Sequence, residues 1–185
     1  MNVGEEIAAE YLKWVYGCDF VEPNLKIPEV QGEIDVVGIN LRDKKVYVCE
    51  VAVHLETGLQ YVKKKRPDNV PRLTNKFDKG LTYAKVYFPD YEVVPMFWSP
   101  IVKNQTASAM YNQLRDVSEI QQFVEERFGL QLEAVINDDF SRRLDELKEV
   151  ALSKTEELTS PMMRFLQIEK KLARHLSKLN RHGEQ

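Results

Sequence analysis

The sequence predicts an α/β sandwich, helices packed against a mixed sheet, followed by a helical hairpin. Three observations carry that prediction. Two β-branched runs, residues 33–39 (EIDVVGI) and 46–54 (VYVCEVAVH), are joined by a short polar segment, as in a hairpin. Segments on either side of them repeat apolar residues at helical spacing. The last 49 residues show helical spacing throughout, interrupted once at Ser160-Pro161.

Taken in order, residues 4–16 form a first helix, with Ala8, Ala9, Leu12 and Val15 on one face and Gly17 as its stop. Residues 18–27 read as extended, interrupted by Pro23, and the hairpin follows. Residues 55–68, holding Gly58, a Lys-Lys-Lys-Arg run and Pro67, read as a loop. Val70, Leu73, Phe77, Leu81 and Ala84 place a helix over 69–86. A second extended run covers 91–102, then helices at about 105–114 and 117–128 end at Gly129, and 130–136 alternates as a short strand. The order is α-β-β-β-α-β with more helix behind it. The natural division is 1–136 for the sandwich and 137–185 for the helical arm, whose leucines suit either packing on the domain or a coiled-coil-like homodimer through the C-terminal helices.

Composition narrows the class. The chain has 185 residues, 43% apolar, enough to build a core, and eight Gly with eight Pro exclude collagen-like and low-complexity proteins. No apolar run approaches the roughly 18 residues of a membrane-spanning helix. The acidic start MNVGEEIAAE is unlike a secretory signal, and two cysteines make neither a disulfide framework nor a zinc site. The expectation is a soluble cytoplasmic protein. Its net charge of −3 hides a segregation: residues 61–85 hold eight basic and two acidic side chains, and 161–185 hold six and two. A one-signed patch matters more to a phosphate than the average does.

The hairpin carries the chemistry. Alternation puts Val46, Val48, Glu50, Ala52 and His54 on one face of the second strand, so a carboxylate sits in the middle of an apolar row. Asp35 holds the comparable place in the first strand. A single acid in a strand can serve to deter edge pairing. Two, each embedded in β-branched residues, are costly to bury unless paired or bound to a cation, and oxygen ligands of this kind suit Mg²⁺ or Mn²⁺.

The runs GEEIAAEYL, GEIDVV and KVYVCEVAVH resemble the PD-(D/E)XK nuclease superfamily, and within it the YraN-like branch related to Holliday junction resolvases. The resemblance covers residues 4–54 and continues more loosely through 69–86. It implies a restriction-endonuclease-like three-layer sandwich, with Asp35 and Glu50 as metal-binding carboxylates and Glu5 as the helix-borne acid that assists them. It also implies DNA as the substrate and Mg²⁺ or Mn²⁺ as the cofactor. Glu5 lies three, four and seven residues before Ala8, Ala9 and Leu12, so its spacing also points it with the apolar face. One departure matters: the motif lysine expected two residues after the Glu is Ala52. Losing a positioned cation in a dry site costs on the order of 10²–10³ in rate. Lys76 on the following helix, His54 on the strand face, or Lys63 to Lys65 from the loop are the candidates to replace it; otherwise the chain is a non-cleaving nucleic-acid-binding or assembly module. Lys63, Lys64, Lys65, Arg66, Arg72 and Lys79 are the expected phosphate contacts.

Overall fold

The computed structural model describes residues 2–28, 30–106 and 111–182. Helix α1 (Val3–Trp14) starts on a capping box: Asn2 accepts from the Glu5 backbone N–H, and Glu5 reaches back to that of Asn2. Strands β1 (Phe20–Lys26), β2 (Glu33–Asn40) and β3 (Lys45–Val51) form an antiparallel meander. The small hairpin β4 (Val62–Lys63) and β5 (Arg66–Pro67) precedes α2 (Asn69–Tyr87). Then come β6 (Glu92–Ser99), α3 (Gln113–Phe128), β7 (Glu133–Ile136), α4 (Asn137–Ser153) and α5 (Pro161–His182).

The main sheet runs β1-β2-β3-β6-β7, antiparallel through β3 and parallel from β3 to β7. A mixed sheet of this kind needs both faces covered. One face packs α2 and α3 through Leu73, Phe77, Leu81, Val117, Ile120 and Val124 onto Ile34, Val48 and Phe97. The other packs α1, α4 and the start of α5 through Ala8, Leu12, Leu147, Ala151 and Met163 onto Cys49, Met96 and Trp98. The molecule is a three-layer α/β sandwich. Among the described residues, no helix is long and apolar enough to cross a membrane.

Two local departures from regular packing position Asp35 and Lys76. The β1–β2 ladder steps from Pro23↔Val36 to Leu25↔Ile34, leaving Asn24 in a left-handed conformation (φ 53°), and the β2–β3 ladder ends at Val36↔Cys49. Asp35 therefore stands outside both ladders. On α2, Gly80 permits close approach to the sheet: a Cβ there would lie 3.2 Å from Val48 and 3.3 Å from Ile34. That approach sets Lys76, one turn earlier, over the β2–β3 pair.

The element order matches the sequence reading, with three differences. Residues 55–68 contain the β4–β5 hairpin, which propensity misses because its strands are two residues long and its turn is Lys64-Lys65. The helix expected at about 105–114 is not found in its described part: residues 105–106 and 111–112 are not helical, and 107–110 lie outside the described residues. The terminal helices are not simply an appendage, since Phe140, Leu147, Ala151 and Met163 are built into the core.

Candidate functional site

Glu50 is fully buried on the α2 side of β3, and Asp35 is nearly so. Lys76 reaches both from α2. Its Nζ donates to Asp35 Oδ1 at 2.7 Å and forms an ion pair with Glu50 Oε2. The other Asp35 oxygen, Oδ2, accepts from the Val51 backbone N–H at 2.8 Å, so a side chain takes over where the ladder has stopped. Among the described residues, neither Glu50 oxygen has a hydrogen-bond partner of good geometry; the pairing with Lys76 is one of proximity and charge.

The charges are unbalanced, two carboxylates to one ammonium. Burial pushes the Glu50 carboxyl well above the usual carboxylate range, and Asp35 beside it adds to the rise, while Lys76 opposes it. Burial works against the Lys76 charge, but Glu50 and Asp35 outweigh it and hold the ammonium above its ordinary pKa. Lys76 is the solvent-facing member of the triad. With Lys26, Gly32 and Glu33 it lines an open cleft of about 510 Å³ between the β1–β2 turn and α2.

Ala52 is buried on the same face of β3, and its N–H donates to Trp98 O at 2.9 Å, so it belongs to the core and leaves the cationic role to α2. His54 stands edge-on to Tyr61, ring centroids 4.9 Å apart. Arg72 covers Tyr61 at 4.4 Å. Burial raises the Tyr61 hydroxyl pKa against the pull of Lys76 and Arg72.

Glu5 departs from its expected role. Its carboxylate accepts from Asn2 N at 2.8 Å, from Asn2 Nδ2 at 2.5 Å and from Asn24 Nδ2 at 3.3 Å. It closes the cap of α1 and ties it to the β1 irregularity. Among the described residues, no group of three His, Cys, Asp or Glu side chains is placed to hold a metal ion. Glu5, Asp35 and Glu50 are therefore not assembled as a metal-binding trio. As arranged, the donor set does not fit Mg²⁺ or Mn²⁺: both Asp35 oxygens are engaged, and Lys76 holds the cation's place between the acids.

The basic segment is placed as the sequence suggests. Lys63 to Arg66 form the exposed β4–β5 hairpin directly before α2, and Lys64 (φ 50°) and Lys65 (φ 62°) both occupy the left-handed region of its turn. Asn69 anchors the segment: it accepts from Tyr61 N at 2.6 Å and donates to Leu59 O at 2.9 Å and Asp116 at 2.7 Å. Along α2, Arg72, Lys76, Lys79, Tyr83 and Tyr87 recur at four, three, four and four residues, one face of a helix. Lys79 also has a structural task, its Nζ donating to Gln31 O at 2.8 Å. Tyr83 and Tyr87 lie 4.5 Å apart, beside a hollow of about 320 Å³ floored by Ile27 and Val30.

Two contributors carry no sequence signal. Lys26 is an ordinary strand-end lysine until the β1–β2 turn brings it to the Lys76 cleft. Asn69 looks like a helix-start residue, and only the packing of α3 shows it as a buried organiser of the basic loop. Compared with protein-family models, curated proteins and solved structures, the chain gives no match.

Proposed function

We propose that this chain is a restriction-endonuclease-like module of the PD-(D/E)XK type that binds DNA without cutting it. In this reading its acidic centre is closed by its own lysine. The observation that carries it is the ion pairing of Lys76 with both Asp35 and Glu50, on the helix that directly follows an exposed hairpin of four consecutive cations. The αβββαβ order and the acids on adjacent strands support the nuclease-like fold; Lys76 supplies from α2 the cation that Ala52 lacks. Phosphates lie along Lys63, Lys64, Lys65, Arg66 and Arg72, with Lys76 at the mouth of the cleft. Such contacts fix position on the backbone and carry no base readout, so the binding follows DNA shape.

The test is DNA binding by fluorescence anisotropy in EDTA over a series of salt concentrations. Affinity is expected to persist without metal and to fall steeply with salt, by about 0.9 in log-log slope for each phosphate neutralised. Replacing Lys63, Lys64, Lys65 and Arg66 by Ala should flatten that slope by roughly one per lost contact. A slope unchanged by the fourfold substitution would sink the reading.

A second reading, Mg²⁺- or Mn²⁺-dependent hydrolysis of a DNA phosphodiester, is favoured by one observation. Glu50 keeps two buried oxygens without hydrogen bonds, acceptor capacity that the fold leaves unmet. Branched and linear DNA incubated with pure protein and either ion distinguishes the two. Cutting that disappears in Asp35→Ala and Glu50→Gln selects hydrolysis; intact DNA under every condition selects binding alone.

A further inference from the structure

Helix α5 carries an apolar face that, among the described residues, no other element covers. Its inner side is used: Met163, Leu166 and Gln167 are buried against the body. On the opposite side Phe165, Ile168, Leu172, Leu176 and Leu179 are 67%, 54%, 53%, 48% and 53% exposed. At about 100° per residue all five fall within roughly 40° of the Leu172 direction, a continuous stripe about 21 Å long. Exposed apolar side chains scattered singly need no explanation, but an aligned series does.

The spacing names the occupant. The intervals are three, four, four and three residues, the same read from either end, with Leu172 at the centre. A stripe with that symmetry is complementary to itself when a second copy lies antiparallel. Phe165 then meets Leu179 of the second copy, Ile168 meets Leu176, and Leu172 meets its own equivalent across a twofold axis. A parallel pair or an unrelated partner has no need of the palindrome.

We infer that α5 is an antiparallel dimerisation helix whose exposed stripe is covered by the same stripe of a second copy. Sedimentation equilibrium of the full chain from about 1 to about 100 μM tests it, a range suited to an interface of this modest size. The mass is expected to rise from that of one chain, 21.6 kDa, toward twice that value. Leu172→Glu should stay monomeric throughout, with its circular dichroism spectrum unchanged and, at about 1 μM where both chains are monomeric, its melting temperature unchanged, because the residue is exposed. Phe165→Cys mixed with Leu179→Cys should cross-link on oxidation, whereas Phe165→Cys alone should not; the native Cys18 and Cys49 are buried and add no background. A wild-type chain that remains monomeric at every concentration overturns the inference, including one that instead floats with anionic vesicles. So does a dimer that survives Leu172→Glu, or efficient cross-linking of Phe165→Cys with itself.

Discussion

The two faces of the central sheet each bury a charge, and they treat it in opposite ways. On the α1–α4 side, Arg143 lies under the rings of Tyr11, Tyr16 and Trp98, at 4.8, 5.6 and 5.4 Å. Its Nε donates to Asp139 at 3.1 Å, Nη1 to Tyr16 Oη at 2.8 Å, and Nη2 to Glu133. Burial works against this guanidinium, but Tyr16 and Glu133 more than offset it, and its pKa lies above the ordinary value. Its carboxylate partners keep about a third of their side-chain surface in water. On the α2 side the buried members are the two acids, and the single cation stands at the solvent edge. The first arrangement satisfies each nitrogen of the group it buries and reads as architecture. The second leaves Glu50 without a well-formed hydrogen bond, a cost that a protein selected for stability alone would have removed.

That contrast can be broken at several points. The largest effect is expected at Arg143→Met. It strips three rings and three polar partners of their shared cation, and should lower unfolding free energy by about 3–5 kcal/mol in urea titration. The DNA affinity of the folded fraction should be unchanged. Lys76→Met should cost about 3 kcal/mol at pH 8, since it leaves two neighbouring acids without their shared cation. That loss should shrink as pH falls and Glu50 takes up its proton. A flat pH dependence for Lys76→Met would mean the triad is not coupled as its geometry indicates.

Glu50→Gln should move the other way, gaining about 1 kcal/mol at pH 8. The folded-state pKa of Glu50 is raised, so its contribution is fully present below the unfolded value of about 4.3 and is lost as pH rises toward the folded one. Glutamine has no proton to give up, so the advantage of the variant should grow with pH and vanish near pH 4. An effect of the same size belongs to the hairpin. Lys64→Asn with Lys65→Gly puts residues suited to positive φ into its turn, and should stabilise by about 1 kcal/mol while weakening DNA binding. Retention of full affinity would detach the hairpin from the proposed function.

Much of the site was legible because strands alternate. The face shared by Val46, Val48, Glu50 and Ala52 follows from a period of two, and the structure buries all four. By sequence, Lys76 stands with His54 and Lys63 to Lys65 as a candidate to replace the motif lysine; what selects it among them is the helix-to-sheet distance that Gly80 sets, which no one-dimensional pattern contains. Glu5 shows the opposite failure. Its spacing placed it correctly on the buried face of α1, yet Asn2, an adjacent capping partner, claims its carboxylate. The Arg143 network leaves no mark on the sequence, because Arg143, Tyr11, Tyr16 and Glu133 are scattered over more than 130 positions and each is unexceptional where it stands.

The sequence by itself determined the order of elements, the face that Glu50 occupies, the position of the cationic segment next to β3 and the self-complementary spacing of α5. These are local properties, governed by periods of 2.0 and 3.6 residues and by composition along a short stretch. Only the tertiary structure decided that Lys76 closes the acid pair, that Glu5 serves a helix cap and that the terminal helices enter the core. Each of those outcomes depends on which side chains meet in space, and separation in sequence does not encode separation in space.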